Sequence, residues 1–490
     1  MAQHGVEQHG VGTIPEAERT SRPRDLVGVL LGGNLALSVA VFGWLPVLYG
    51  LGWWASVAAV LAGTAVGSVA VAPLAVLGLR SGTNNSVTSG AFFGVQGRLV
   101  ASTIGLLLCL GFVALTVWTG AEAVVGAVGR ATGTHPGDAG LAAGFIVLAA
   151  AVSLVAVYGF RWLVALNKVI VVVVGAVMAA VVVALAGSFD AGYAGTPDSL
   201  ALGGFWPTWL LAALTAGVAG PVSYVTNTGD WTRYVSPERH SPGAVVRATA
   251  AGLFGGLVLP TLFGTFVSVV AFDENSFVAG LVGGVPGWLV VPVAVAALVG
   301  SLGQGGLNLY SMGLDLDAIL PRLTRVQSTL VVAAGSTVLV FLGTFVWDAQ
   351  AAVTTFSVVL TSLATPWAVI TLLGYRRVAG RFDADGLQVF NRRLRGGPYW
   401  FTGGWNVPTV LAWAVGSAVG VASNATESFT GPVAALLGGV DASFVTSGLA
   451  AGACWLALVR LRPAAHVPAA DAAPGDVAPD LAPAVPAPVG

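Results

Sequence analysis

The chain has 490 residues, of which 56% are hydrophobic and only 9% charged, with a formal net charge of −1. A soluble domain carries about a quarter of its residues as Asp, Glu, Lys and Arg, so the composition excludes that class and points to an all-α polytopic membrane protein embedded in the lipid bilayer. The balanced charge has no Lys/Arg stripe for nucleic acid. Neither the two cysteines nor the five histidines fall in a disulfide or metal-ligand spacing, so no metal, cofactor or nucleic-acid partner is expected.

Residues 1–25 are polar, carry Arg19, Arg22 and Arg24 ahead of the first apolar run, and lack the apolar core and cleavage site of a signal peptide. They read as a cytoplasmic, disordered leader. At about 20 apolar residues per crossing, the pattern predicts about twelve transmembrane helices. The first five lie near Leu26–Tyr49, Trp53–Leu79, Leu99–Val128, Leu141–Tyr158 and Leu163–Ala186. The next five follow near Phe205–Thr228, Ala244–Phe272, Gly287–Gly313, Ser328–Val346 and Ala352–Tyr375, and the last two near Trp405–Ser423 and Phe444–Val459. Residues 463–490, rich in Ala, Pro and Asp, cannot bury a core and read as a disordered cytoplasmic tail.

With the N-terminus inside, Arg80, Arg98, Arg161, Lys168, Arg233, Arg239, Arg247, Arg322, Arg325, the cluster Arg376–Arg395, Arg460 and Arg462 are all cytoplasmic, and only Arg130 falls outside. The opposite segments carry Asp138, Asp190, Asp198, Asp273, Glu274, Asp348 and Glu427. This asymmetry obeys the positive-inside rule and predicts an integral protein of the plasma (inner) membrane with both termini cytoplasmic.

The first span contains Gly32, Gly33, Asn34, Ser38 and Gly43; five helices later, the sixth contains Gly217, Gly220, Pro221, Ser223, Thr226, Asn227 and Gly229 and runs into Asp230 and Arg233. Interrupted helices survive in hydrocarbon where their freed backbone lines a cavity, and interruption at matching places in two halves marks an inverted-repeat transporter. The expected repeats are residues 26–188 and 205–375, with 400–462 forming two peripheral helices.

In the third span Trp118 and Glu122 are four apart and share a helix face, with Gly120 between them. In the eighth, Gln304, Asn308, Ser311 and Asp315 form one polar stripe. Buried membrane carboxylates and amides face a partner or a pathway; interhelical glue is the competing structural role. By the five-helix offset these two spans correspond, so Trp118 and Glu122 are expected to face Gln304 and Asn308. Amides and a carboxylate beside an aromatic plane suit a small flat ligand with donors and acceptors on its edge. A channel would need a continuous pore-lining polar stripe or a filter ring, whereas the polar positions here converge at one depth. An enzyme would need a nucleophile–base pair or metal cluster, which the sequence lacks; a transporter rather than an enzyme is expected.

These residues resemble the nucleobase:cation symporter family, the purine-cytosine permeases with their allantoin and hydantoin relatives. The similarity lies in Trp118-x-Gly120-x-Glu122, Asp230-Trp231-Thr232-Arg233-Tyr234, and Asn308-x-x-Ser311-x-Gly313-x-Asp315 with Leu320-Pro321. It extends to Tyr375 with its basic neighbours and to Tyr399-Trp400 before Gly403-Gly404-x-Asn406. The resemblance implies a leucine-transporter-like core of 5+5 inverted helices plus two peripheral ones. It also implies uptake of a nucleobase-like heterocycle, of the cytosine or purine class, by symport with a cation, an amino-acid permease of the same architecture being the nearest rival. Carried over, Trp118 stacks on the ring, Glu122 stands where the family often has Gln, and Asn308 bonds the ring edge. Tyr224 is the second aromatic wall, Asn227 and Gln304 complete the substrate set, and Asp230, Arg233, Ser311 and Asp315 are gating or structural. Leu302 and Gly303 replace the hydroxyl residues of the sodium-binding members, and Gly374 an acidic residue. The coupling cation is therefore expected to be a proton on Glu122, with Ser38 as the side chain able to help hold sodium instead.

Overall fold

The computed structural model of the chain describes residues 11–461 apart from 159, 321, 322, 324, 348 and 393. The expected tail at 463–490, the first ten residues of the leader, and Pro321, Arg322, Asp348 and Arg462 lie outside the described residues.

The first span is two helices, α1 (Pro23–Asn34) and α2 (Leu37–Leu48), bent by 69° at Leu35 and Ala36. Gly32 and Gly33 weaken the helix ahead of the break, and the Asn34 Nδ2 donates back to the Leu30 carbonyl one turn earlier at 2.7 Å. There follow α3 (Trp53–Val71), α4 (Ala75–Ser81), α5 (Asn85–Phe93), α6 (Leu99–Thr132), α7 (Gly137–Tyr158) and α8 (Phe160–Leu185). The sixth span is α9 (Phe205–Ala212), a π-helical stretch (Ala213–Val218), α10 (Ala219–Val222) and, after a non-helical turn, α11 (Thr228–Thr232). The remainder comprises α12 (Pro242–Val270), α13 (Phe277–Gly284), α14 (Gly287–Ile319), α15 (Arg325–Phe345), α16 (Ala349–Arg377), α17 (Ala384–Gln388), α18 (Val407–Ala422), α19 (Pro432–Leu436) and α20 (Ser443–Leu461).

Among the described residues ten helices are long and apolar enough to cross a bilayer; the bent α1–α2 pair makes an eleventh, and the shorter α18 stands where the eleventh expected span falls. Every predicted span therefore has a helix at its place. Two regions fix the site. In one, α2 lies on α12 with backbones in contact: a Cβ on Gly43 would come within 1.8 Å of the Thr261 carbonyl, and one on Gly264 within 1.8 Å of the Ala40 carbonyl. In the other, α6 and α14 share the most extensive helix–helix packing among the described residues.

The leader does not match its expectation over residues 11–22. Ile14 is buried at 2% exposure, and its N–H donates to the Gly82 carbonyl at 2.9 Å. The Arg19 guanidinium donates to the carbonyls of Arg233, Gly78 and Leu79. The reason lies in distant helix ends: helix C-termini leave carbonyls without intrahelical donors, and a polar segment that supplies donors is held by bonds to their backbone. The short α5, all nine residues of which are buried, lies between the second and third expected spans, where no element is expected from the sequence.

Candidate functional site

The sixth span breaks at residues 223–227, where Pro221 removes one backbone donor and the preceding π-helical stretch has already widened the ladder. Asn85 of α5 caps the break, its Nδ2 donating to the Val225 carbonyl at 2.8 Å and to the Thr228 hydroxyl at 2.7 Å. This break faces the one between α1 and α2 across a narrow crevice. Asn34, Val39 and Phe42 form the first-span wall, Tyr224 and Asn227 the sixth, Cys109 and Phe112 that of α6, and Gln304 and Asn308 that of α14. The enclosed space is about 20 Å³, roughly the room one water needs.

The hydrogen bonds show which polar atoms are engaged. The Tyr224 hydroxyl donates to Asn34 Oδ1 at 2.7 Å, tying the two broken spans together. The Ser38 hydroxyl donates to Gln304 Oε1. The Thr226 hydroxyl donates to Asn227 Oδ1 at 2.7 Å, and Asn227 Nδ2 points at the Cys109 sulfur at 3.7 Å. Among the described residues the carboxamide of Asn308, half-buried in the wall, and the Nε2 of Gln304 meet no protein partner. The crevice thus presents two donor groups and one acceptor beside the Phe112 ring, itself 6.0 Å from Phe42 and 5.7 Å from Phe356.

Of the predicted residues, Tyr224, Asn227, Gln304 and Asn308 come together here, and Ser38 touches Gln304. Trp118 and Glu122 do not reach the crevice, which corrects their expected placement. Trp118 faces a separate apolar cleft of about 160 Å³ between α6, α15 and α16, with Leu115, Leu339, Trp347, Val353 and Phe356. Glu122 lies beside Ser276 and Asp273 at the opposite end of the span. The two share a face with each other but not the one that meets α14. Gly120 packs on Ser301 and the Thr116 carbonyl accepts the Ser301 hydroxyl. Trp118, about 200° around the helix from both, is therefore turned away as well as displaced in depth. α6 and α14 are antiparallel, since Gly105 meets Asp315 while Gly120 meets Ser301. Asn308 lies eleven residues before the end of α14, and eleven residues into α6 is Leu110, between Cys109 and Phe112. Trp118 is about two turns deeper. Matching depths along antiparallel spans is the signal by which Cys109 and Phe112 were findable; Asn34 and Phe42, the other lining residues missed, flank the first break.

Toward the face that carries the N-terminal segment, Asp230, Ser311 and Asp315 are buried, Arg233 is 0% exposed with its guanidinium over the Tyr234 ring, and Asp315 Oδ1 accepts the Ser86 hydroxyl at 3.0 Å. At the first break, α14 presents Gly300, where a Cβ would lie 3.2 Å from the Leu35 carbonyl, and the neighbouring Ser301 hydroxyl is given to the Thr116 carbonyl at 3.1 Å. No side-chain hydroxyl of α14 is turned to that carbonyl among the described residues.

The family described as permease for cytosine/purines, uracil, thiamine, allantoin matches residues 13–447. A protein of Bacillus subtilis (strain 168) named "Putative purine-cytosine permease YxlA" is 24% identical over 458 residues, 90% of this chain and 93% of that protein. Among solved structures, Mhp1, a nucleobase-cation-symport-1 family transporter in a closed conformation with bromovinylhydantoin bound, aligns with a TM-score of 0.72 at 20% identity over 93% of this chain and 96% of its own. A Na+-coupled sialic acid symporter aligns at 0.53 and 12% identity, over 91% of each chain. The likeness shows the fold, that of an inverted-repeat transporter.

Proposed function

The chain belongs to the family of permeases for cytosine/purines, uracil, thiamine and allantoin, and on that premise we propose that it imports a nucleobase or related flat heterocycle through the crevice between its broken helices. The observation that carries this reading is the Asn308 carboxamide, an amide at membrane depth with no protein partner among the described residues. An amide without a protein partner at membrane depth is costly to leave unmatched, and a ring bearing –NH–C=O on its edge would accept from its Nδ2 and donate to its Oδ1 at once. The Gln304 Nε2 supplies a further donor, its Oε1 being held by Ser38. Phe112 offers the face for stacking, and Tyr224 closes the opposite side while bonding Asn34. Because the free volume is about 20 Å³, admitting a ring requires the two walls to part, as the alternating access of inverted repeats provides.

Uptake is coupled to a cation, and the proton is favoured. Sodium wants several oxygen ligands, and α14 brings Gly300, Leu302 and Gly303 rather than hydroxyls toward the first break. The face that holds the N-terminal segment is the cytoplasmic one, on the distribution of basic residues, and the membrane is the plasma (inner) membrane. The –NH–C=O edge is shared by cytosine, uracil, oxopurines and hydantoins, and adenine offers an amino donor beside a ring-nitrogen acceptor in its place. Uptake in proteoliposomes is therefore competed with cytosine, uracil, adenine, allantoin, hydantoin and amino acids under imposed proton or sodium gradients. Competition by a flat heterocycle and acceleration by an inward proton gradient are expected. Competition by amino acids alone, or uptake that follows sodium at constant pH, would overturn the reading.

A further inference from the structure

Beneath the crevice a buried carboxylate and a buried guanidinium lie near one another without pairing. Asp315 stands about two turns after Asn308 in α14, two residues beyond the apolar stretch Gly287–Gly313, and is 4% exposed. Its Oδ1 accepts the Ser86 hydroxyl of α5 at 3.0 Å. Its Oδ2 fills the space left by Gly105 of α6, where a Cβ would fall 2.2 Å from it and 3.1 Å from the Thr226 hydroxyl. Thr226 in turn donates to Asn227, which lines the crevice. The carboxylate and the Thr226 hydroxyl thus border the same gap at Gly105, next to the substrate wall.

Arg98, the residue before α6, is 0% exposed; its Nε and Nη1 meet no acceptor among the described residues. Its Nη2 donates to Asn391 Oδ1 at 2.5 Å, and the guanidinium lies 4.5 Å from the Phe390 ring centre. The charged groups that face Asp315 are Asp230 of α11 and Arg98. A guanidinium stays charged when buried, and donors left without acceptors in an apolar setting are costly. An ionised carboxylate in the same setting is costly until it is paired. The two groups therefore have two arrangements: a neutral Asp315 with Arg98 held by Asn391 and Phe390, or an ionised Asp315 with Arg98 turned onto it.

We infer that Asp315, rather than Glu122, carries the coupling proton, and that Arg98 becomes its counter-charge when the proton leaves. The carboxyl O–H gives its proton to water on the face that holds the N-terminal segment, and the two electrons of that bond remain on the carboxylate, which the Arg98 N–H groups then bond. The step is tied to transport through Thr226 and Asn227, which belong to the sixth-span break and move with it. Glu122 lies outside the crevice and has no such link. The inference rests on the proton-symport reading above.

The experiment uses the full chain in proteoliposomes with radiolabelled cytosine, replaced by uracil or allantoin if competition ranks either higher. If the wild type is not driven by an inward proton gradient, the symport reading itself fails, a result distinct from those below. With a proton-driven wild type, Asp315→Asn, which mimics the protonated form, is expected to keep substrate exchange within about threefold while losing concentrative uptake and the alkalinisation of the medium that accompanies it. Glu122→Gln is expected to keep all three. Ser86→Ala removes a donor to the ionised form and should move the alkaline limb of the uptake profile to higher pH by about half a unit or more. Proton-driven accumulation by Asp315→Asn, or its loss in Glu122→Gln alone, would overturn the inference. If Asp315→Asn loses exchange as well, Asp315→Glu decides: restored accumulation with a shifted pH profile supports proton carriage, and an inactive protein shows a structural role and overturns it.

Discussion

Two cavities lie on either side of the Phe112–Phe356 ring pair, and the smaller one carries the argument. The cleft at Trp118 has about 160 Å³ of free space and walls that are almost wholly apolar, whereas the crevice at Phe112 has about 20 Å³ and is lined by four carboxamides. Volume favours the cleft; chemistry favours the crevice. An apolar cleft in a membrane protein gains little from a polar ring, because lipid already satisfies its walls and nothing there orients a donor or an acceptor. The crevice holds amide groups whose partners are missing, and that deficit is what a hydrogen-bonding ligand repairs.

The sharpest way to break this contrast is Asn308→Asp, which keeps the size of the side chain and removes its donor group. Uptake is expected to fall on the order of 100-fold, about 3 kcal/mol, measured as kcat/KM at matched surface expression, while Trp118→Phe stays within about twofold. Next, Phe112→Ala should weaken substrate binding by about 1 to 3 kcal/mol through lost stacking, and Phe112→Trp should retain most of it. Trp118→Ala is the paired control, and an equal loss there would return the site to the cleft. Ser38→Ala releases Gln304 Oε1, letting the amide rotate; a loss of about 1 kcal/mol in affinity, read by competition, is expected. Phe356→Leu should have the smallest effect, since it thins the wall between the cavities without touching the amides, and equilibrium binding should change by less than about twofold.

Much of the fold was legible because it is written in hydrophobic runs. Every span, the two broken helices and the polar stripe of α14 follow from apolar length and from where Gly, Pro and amides interrupt it. Asn308 and Gln304 were found because interruptions and stripes are local signals. Trp118 and Glu122 were misplaced because a shared helix face says nothing about which neighbour it meets or at what depth. The packing of Thr116 and Gly120 on α14 turns Trp118 away, and the antiparallel register puts Phe112 level with Asn308. The order of residues 11–22 and the helix α5 were not legible because they come from partners far away in sequence, the carbonyls of Gly78, Leu79 and Arg233 and the break at Val225. Such pairings leave no periodicity to read.

The central claim, that substrate occupies the crevice, is tested most directly through Cys109, which lies in its wall at 2% exposure. The other cysteine, Cys454 on α20, is replaced by serine, and alkylation of Cys109 by a membrane-permeant maleimide is followed in proteoliposomes with increasing substrate. The account predicts that substrate slows the reaction, with half-protection at the concentration that half-saturates transport, and that Asn308→Asp abolishes the protection. Labelling of Cys109 that is indifferent to saturating substrate, while a cysteine placed in the cleft by Leu115→Cys is protected, would contradict it.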